Sequence, residues 1–86
     1  MSVNLWRKKM SLTNNILKIL KKLEETPLDR KDITFLTELP AISVHYGLTV
    51  LVKLNLAEIT TEPNRNPIRY CLTEKGIKLK EIMHGI

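Results

Sequence analysis

The 86-residue chain has one cysteine, Cys71, three glycines and no glutamine. A lone thiol cannot close an internal disulfide, so a small secreted scaffold stapled by disulfides is excluded. Gly47, Gly76 and Gly85 are too dispersed to form a loop that cradles phosphate. No apolar run exceeds three residues, as in Val50-Leu51-Val52, whereas a membrane-spanning helix needs about twenty. The basic Arg7-Lys8-Lys9 cluster is not followed by an apolar segment of signal-peptide length. A reducing cytoplasm is therefore the expected compartment, with no membrane partner. The metal-ligand inventory is His45, His84 and Cys71, without a Cys-x-x-Cys or a His pair at helical spacing. Nothing resembles a nucleophile with its base, so neither enzymatic activity nor a metal or other cofactor is expected. Missing Gln, with abundant Lys, Glu, Ile and Leu, leans towards archaeal or thermophile-like usage, against which six Asn count.

What remains is ordinary globular material, 43% hydrophobic and 27% charged, and enough for one domain. Its net charge of +5 favours an anionic partner. That charge is uneven: residues 1–25 sum to +4, residues 26–62 to −2 and residues 63–86 to +3.

Hydrophobic periodicity orders the chain. Leu12, Ile16, Leu17, Ile19, Leu20 and Leu23 form one helical stripe, with Lys18, Lys21 and Lys22 opposite and Ser11 or Thr13 as caps. Pro27 ends this helix. Asp29 is placed to cap a second, with Asp32 in its first turn, and Ile33, Leu36 and Leu39 recur at a spacing of three beside Phe35. Pro40 halts it. After a turn through Ala41 and Ile42, Ser43 is expected to cap a third helix running to about Leu54, its inward face being Val44, Leu48, Leu51 and Leu54. Asn55 fits a left-handed helix end. Leu56–Thr61 and Ile68–Leu72 alternate as two strands of a hairpin around the Pro/Asn-rich stretch 62–67. Thr73 can cap a last helix carrying Ile77, Leu79, Ile82, Met83 and Ile86. Residues 1–10 read as an N-terminal extension and residues 11–86 as the domain. Cys71, within a strand, reads as a small buried hydrophobe.

Two stretches give this order a family resemblance. Leu51-Val52-Lys53-Leu54-Asn55-Leu56-Ala57-Glu58-Ile59 is similar to the passage out of the recognition helix in winged helix-turn-helix proteins, with Asn55 where Gly is usual. Tyr70-Cys71-Leu72-Thr73-Glu74-Lys75-Gly76 resembles the Tyr-x-Leu-Thr-x-x-Gly that follows the wing in many bacterial and archaeal transcriptional regulators. The resemblance covers roughly Leu12 to Met83. It implies an α+β, mostly helical fold: a three-helix core, a two-stranded wing hairpin and a C-terminal helix.

The resemblance also implies a function, that of a DNA-binding transcriptional regulator with double-stranded DNA as partner. The third helix would enter the major groove, presenting Ser43, His45, Tyr46, Thr49, Val50 and Lys53. The wing would contact the flanking backbone or minor groove through Asn64, Arg65 and Asn66 at its tip and Arg69 at its return. Lys53 is the one permanent cation on that helix, so the phosphate contacts that dominate DNA affinity are expected from the flanks. Leu5, Trp6, Ile82, Met83 and Ile86 lie outside the minimal core and suggest a homodimer. The alternative is a winged helix used for protein–protein interaction in a larger assembly, favoured by the acidic middle segment and the apolar Val50.

Overall fold

The computed structural model describes residues 13–84. The N-terminal extension, Ser11, Leu12, Leu5, Trp6, Ile86 and the Arg7-Lys8-Lys9 cluster lie outside the described residues. Helix α1 covers residues 13–22. Then follow β1 (Leu28–Asp29), α2 (Arg30–Thr37), α3 (Ala41–Lys53), β2 (Ala57–Ile59), β3 (Arg69–Leu72) and α4 (Glu74–His84).

The stripe on α1 packs as its spacing requires. Ile19, Leu20 and Leu23 are buried, while Lys18, Lys21 and Lys22 are exposed. They meet Ile33 of α2 and Val44, Leu48 and Leu51 of α3, and these seven side chains are the deepest of the core. Leu56, Ala57, Tyr70 and Leu72 close it from the sheet side. Gly47 lies on the buried face of α3 against α1, where a Cβ would overlap Ile19 Cδ1.

Helix α2 starts as expected. The Asp29 carboxylate accepts from the Asp32 amide at 2.8 Å and the Asp32 carboxylate accepts from the Asp29 amide at 3.3 Å, a capping box. Two expectations for this helix need correction: Phe35 is 83% exposed and Leu36 42%, so the inward stripe narrows to Ile33, buried Thr37 and half-buried Leu39. The helix ends at Glu38, in the left-handed region at φ 58°.

Helix α3 begins two residues before the expected Ser43 cap. The left-handed Glu38 has already turned the chain, and Pro40 at φ −58° is preset for a helix start, so its carbonyl accepts from the Val44 amide. Ser43 thus falls inside the first turn. At the other end Asn55 takes φ 61°; its amide bonds Val52 O and the Leu56 amide bonds Leu51 O, a Schellman closure. Leu54, assigned inward from spacing, is 51% exposed because this closure turns the chain away from the core there.

The hairpin is part of a three-stranded antiparallel sheet in the order β1-β3-β2. Strand β1 corrects the two-stranded expectation: Leu28 pairs with Tyr70 and Asp29 with Arg69. It escaped notice because two residues carry no alternation, and Asp29 serves twice, its extended backbone being both strand end and helix cap. On the other side Ala57 pairs with Leu72, Glu58 with Cys71 and Ile59 with Tyr70. Ile59 is half exposed where the hairpin leaves the body of the domain. Cys71 is buried, and burial pushes its thiol up; the Glu58 carboxylate, 3.7 Å from Sγ, pushes it further.

Candidate nucleic-acid interface

Helices α2 and α3 are bent by 111° across the three-residue turn 38–40. That angle and turn length are those of a helix-turn-helix pair. The second helix of such a pair presents a face on its far side, and here that face holds His45, Tyr46, Thr49 and Lys53, all exposed, with Ser43 and Val50 half buried beside them. The His45 and Tyr46 rings meet edge to face at 5.7 Å, and the Thr49 hydroxyl donates to His45 O.

A cation absent from the sequence expectation reaches this face. Arg30, the first residue of α2, places Nη1 3.2 Å from His45 Nδ1. Arg30 and Lys31, with Asp29 beside them, also line a groove shared with Asn66, Pro67 and Ile68 of the hairpin. The start of α2 therefore connects the outer face of α3 to the hairpin. Summing charge by segment hid this, because Asp29 and Asp32 cancel Arg30 and Lys31 in the sum although the two carboxylates accept from backbone amides at the helix start. No local sequence signal marks it, because the contact spans 15 residues and depends on the bend between α2 and α3.

The wing is held at its base by Thr61, whose hydroxyl accepts from the Arg69 amide at 2.7 Å and donates to Pro67 O at 3.2 Å. Asn64, in the left-handed region at φ 66°, makes the tip turn. Arg65, Asn66 and Arg69 line one recess with Thr61, Glu62 and Pro67. Arg65 is not a bare cation: its Nε lies 3.7 Å from Glu62 Oε2, both side chains largely exposed. Other charges of the basic C-terminal third are engaged as well. Lys75 Nζ donates to Leu54 O, Lys80 Nζ to Leu23 O, and Lys78 pairs with Glu74. The charge that the sequence assigned to this third is thus partly spent on closing helix ends.

Two solved structures share the architecture. One is the multiple antibiotic-resistance repressor (MarR) from Listeria monocytogenes 4b F2365, with a TM-score of 0.73 and 20% identity over 92% of this chain and 57% of that one. The fold is a winged helix-turn-helix. The second is the transcriptional regulator SlyA, with a TM-score of 0.70 and 20% identity over 91% of this chain and 56% of that one. This chain thus spans a little over half the length of either. No family model matches the sequence, and no curated protein does.

Within the winged helix, both sequence signatures have structural duties. Tyr70 and Leu72 are core residues. The Thr73 hydroxyl donates to Asn55 O at 2.6 Å and accepts from the Gly76 amide at 3.1 Å, tying the end of α3 to the start of α4. Gly76 lies against the Leu56 backbone, where a Cβ would overlap the carbonyl oxygen. Among the described residues no helix is long and apolar enough to cross a membrane.

Proposed function

We propose that this chain binds double-stranded DNA as a transcriptional regulator, with α3 in the major groove and the start of α2 and the wing on the flanking backbone. The observation that carries the reading is the connected surface running from His45 through Arg30 and Lys31 to Asn66. In a helix-turn-helix the first helix crosses the backbone while the second reads the groove, and Arg30 and Lys31 sit where that crossing would place phosphate. His45, Tyr46, Thr49 and Ser43 supply hydrogen-bonding groups to base edges or phosphates, and Asn64, Arg65, Asn66 and Arg69 supply the wing contacts.

Fluorescence anisotropy with mixed-sequence duplex across a salt series is the test. Affinity is expected to fall steeply as salt rises, because bound cations displace condensed counterions. Arg65→Ala is expected to weaken binding to all sequences alike and to reduce the salt slope by about 1, whereas changing Thr49 or His45 should alter preference among sequences. Binding that is absent at low salt, or indifferent to it, would reject the reading.

The same reading includes a cytoplasmic homodimer. Support comes from Ile82, 61% exposed on α4, which the described chain leaves uncovered. Sedimentation at micromolar concentration is expected to give the mass of two chains, and a strictly single-chain mass would contradict it.

A second reading, a winged helix that binds protein in a larger assembly, is favoured by one observation. Phe35 of α2 at 83% exposure and Ile42 of α3 at 61% are large apolar side chains in water. Stoichiometric co-purification of a protein partner together with no duplex binding would promote it.

A further inference from the structure

We infer that Arg30 is a positioning residue that sets the tautomer of His45, making His45 a hydrogen-bond donor towards acceptor atoms on base edges. The inference rests on the DNA-binding reading of α3 and deepens it by naming which base atoms that helix selects.

The argument is one of donor and acceptor inventory. Arg30 Nη1 and His45 Nδ1 are 3.2 Å apart. A guanidinium has five N–H donors, no acceptor, and does not lose its proton in proteins. Nδ1 must therefore accept, so the neutral imidazole carries its hydrogen on Nε2. The backbone of Arg30 is fixed, since the capping box through Asp29 and Asp32 anchors the first turn of α2. Those two carboxylates accept from backbone amides, and among the described residues neither forms an ion pair with Arg30. The ring also meets Tyr46 edge to face, with an interplanar angle of 62°. A ring so fixed on an exposed helix face presents Nε2–H to whatever docks there.

The consequence is chemical. An Nε2–H donor matches guanine N7 and O6, adenine N7 or thymine O4 in the major groove, and is mismatched to the amino groups of cytosine N4 and adenine N6. The opposite tautomer would match the amino groups instead. Arg30, without touching a base, thereby determines the class of base-edge atom that His45 accepts as partner.

Two measurements on the full chain test this together. Long-range nitrogen-edited spectra of the histidine rings, recorded without DNA and assigned by loss of signal in His45→Ala, are expected to place the His45 hydrogen on Nε2, with the Nδ1 resonance moving in Arg30→Ala. Selection of bound duplexes from a randomised pool is expected to show one base position at which wild type discriminates on the order of tenfold, a single-contact effect. Arg30→Ala and His45→Ala should both lose that discrimination at that same position, with the double variant no worse than the worse single one. A hydrogen on Nδ1 in wild type overturns the inference. So does an Arg30→Ala variant that binds every sequence equally less well but keeps the discrimination, since Arg30 would then be a plain phosphate contact. If wild type binds no duplex, the proposed function fails and the donor role with it. An Nε2 hydrogen in the ring spectrum would separate that failure from failure of the Arg30–His45 contact.

Discussion

Gly76→Ala is expected to lower the stability of the domain by about 2 kcal/mol, a large share of the roughly 4–13 kcal/mol available to a chain of this length. Alanine raises helix propensity by about 1 kcal/mol over glycine, which alone would stabilise α4. Space decides against it. The added Cβ would overlap Leu56 O and sit 3.0 Å from Leu56 C and 3.1 Å from Leu72 Cδ2. The obstacle is backbone, tied by the Leu56 amide to Leu51 O and by Leu56 O to the Thr73 amide, so it cannot step aside. Thermal unfolding should show a midpoint lower by about 10 °C. Gly47→Ala is the control. Its obstacle is the terminal methyl of Ile19, the end of a flexible side chain, so the propensity gain and the repacking cost should leave stability within about 1 kcal/mol of wild type. Equal midpoints for Gly76→Ala and wild type would contradict this reasoning.

Thr73→Val is expected to cost about 2–3 kcal/mol by denaturant unfolding. Valine keeps the shape but removes a hydroxyl that donates to Asn55 O and accepts from the Gly76 amide. The first bond fixes the left-handed end of α3 to the sheet, and the second is the cap of α4. Each is worth about 1 kcal/mol, and the part-buried Gly76 amide left without a partner adds to the loss. Thr73→Ser retains both bonds and should stay within about 1 kcal/mol of wild type. A valine variant as stable as the serine one would show that the two bonds contribute little.

These two positions also explain which parts of the fold were legible in the sequence. Thr73 and Gly76 belong to a recognisable pattern because the hairpin–helix junction admits few alternatives: a hydroxyl at the cap and no Cβ against the Leu56 backbone. Asn55 stood out for a similar reason, since a left-handed helix end tolerates few residues. The stripes of α1 and α3 were readable because burial of Ile19, Leu20, Leu23, Val44, Leu48 and Leu51 imposes a 3.6-residue period. Where no local rule operates, the sequence is silent or misleading. Strand β1 is two residues long and exists only through its pairing with β3. The start of α3 was displaced because Ser43 is a good cap by type, while the left-handed Glu38 and the preset φ of Pro40 had already begun the helix. Leu54 follows the helical period but lies where the Schellman closure takes the chain away from the core.

The candidate interface was legible only as a list of exposed groups on α3 and the wing. What joins them is Arg30: it lies 15 residues before His45 in the chain, and only the bend between α2 and α3 brings the two together. Segment charge pointed away from this region, since it weighs Asp29 and Asp32 equally with Arg30 and Lys31. In the fold the two carboxylates accept from backbone amides at the helix start, and the two cations line the groove towards the wing together with Asp29. The positive flanks read from the sequence are correspondingly reduced, because Lys75 and Lys80 close helix ends and Arg65 faces Glu62.

The central claim is that one continuous surface, from the outer face of α3 over the start of α2 to the wing, receives DNA. Titrating isotope-labelled protein with duplex DNA and following each backbone amide tests it most directly. The expected result is that the largest shifts fall on His45, Tyr46, Thr49 and Lys53, on Arg30 and Lys31, and on Asn64 to Asn66, while the outer residues of α4 stay unmoved. Shifts centred on Phe35 and Ile42, with His45, Tyr46, Thr49, Lys53 and the wing unchanged, would contradict it.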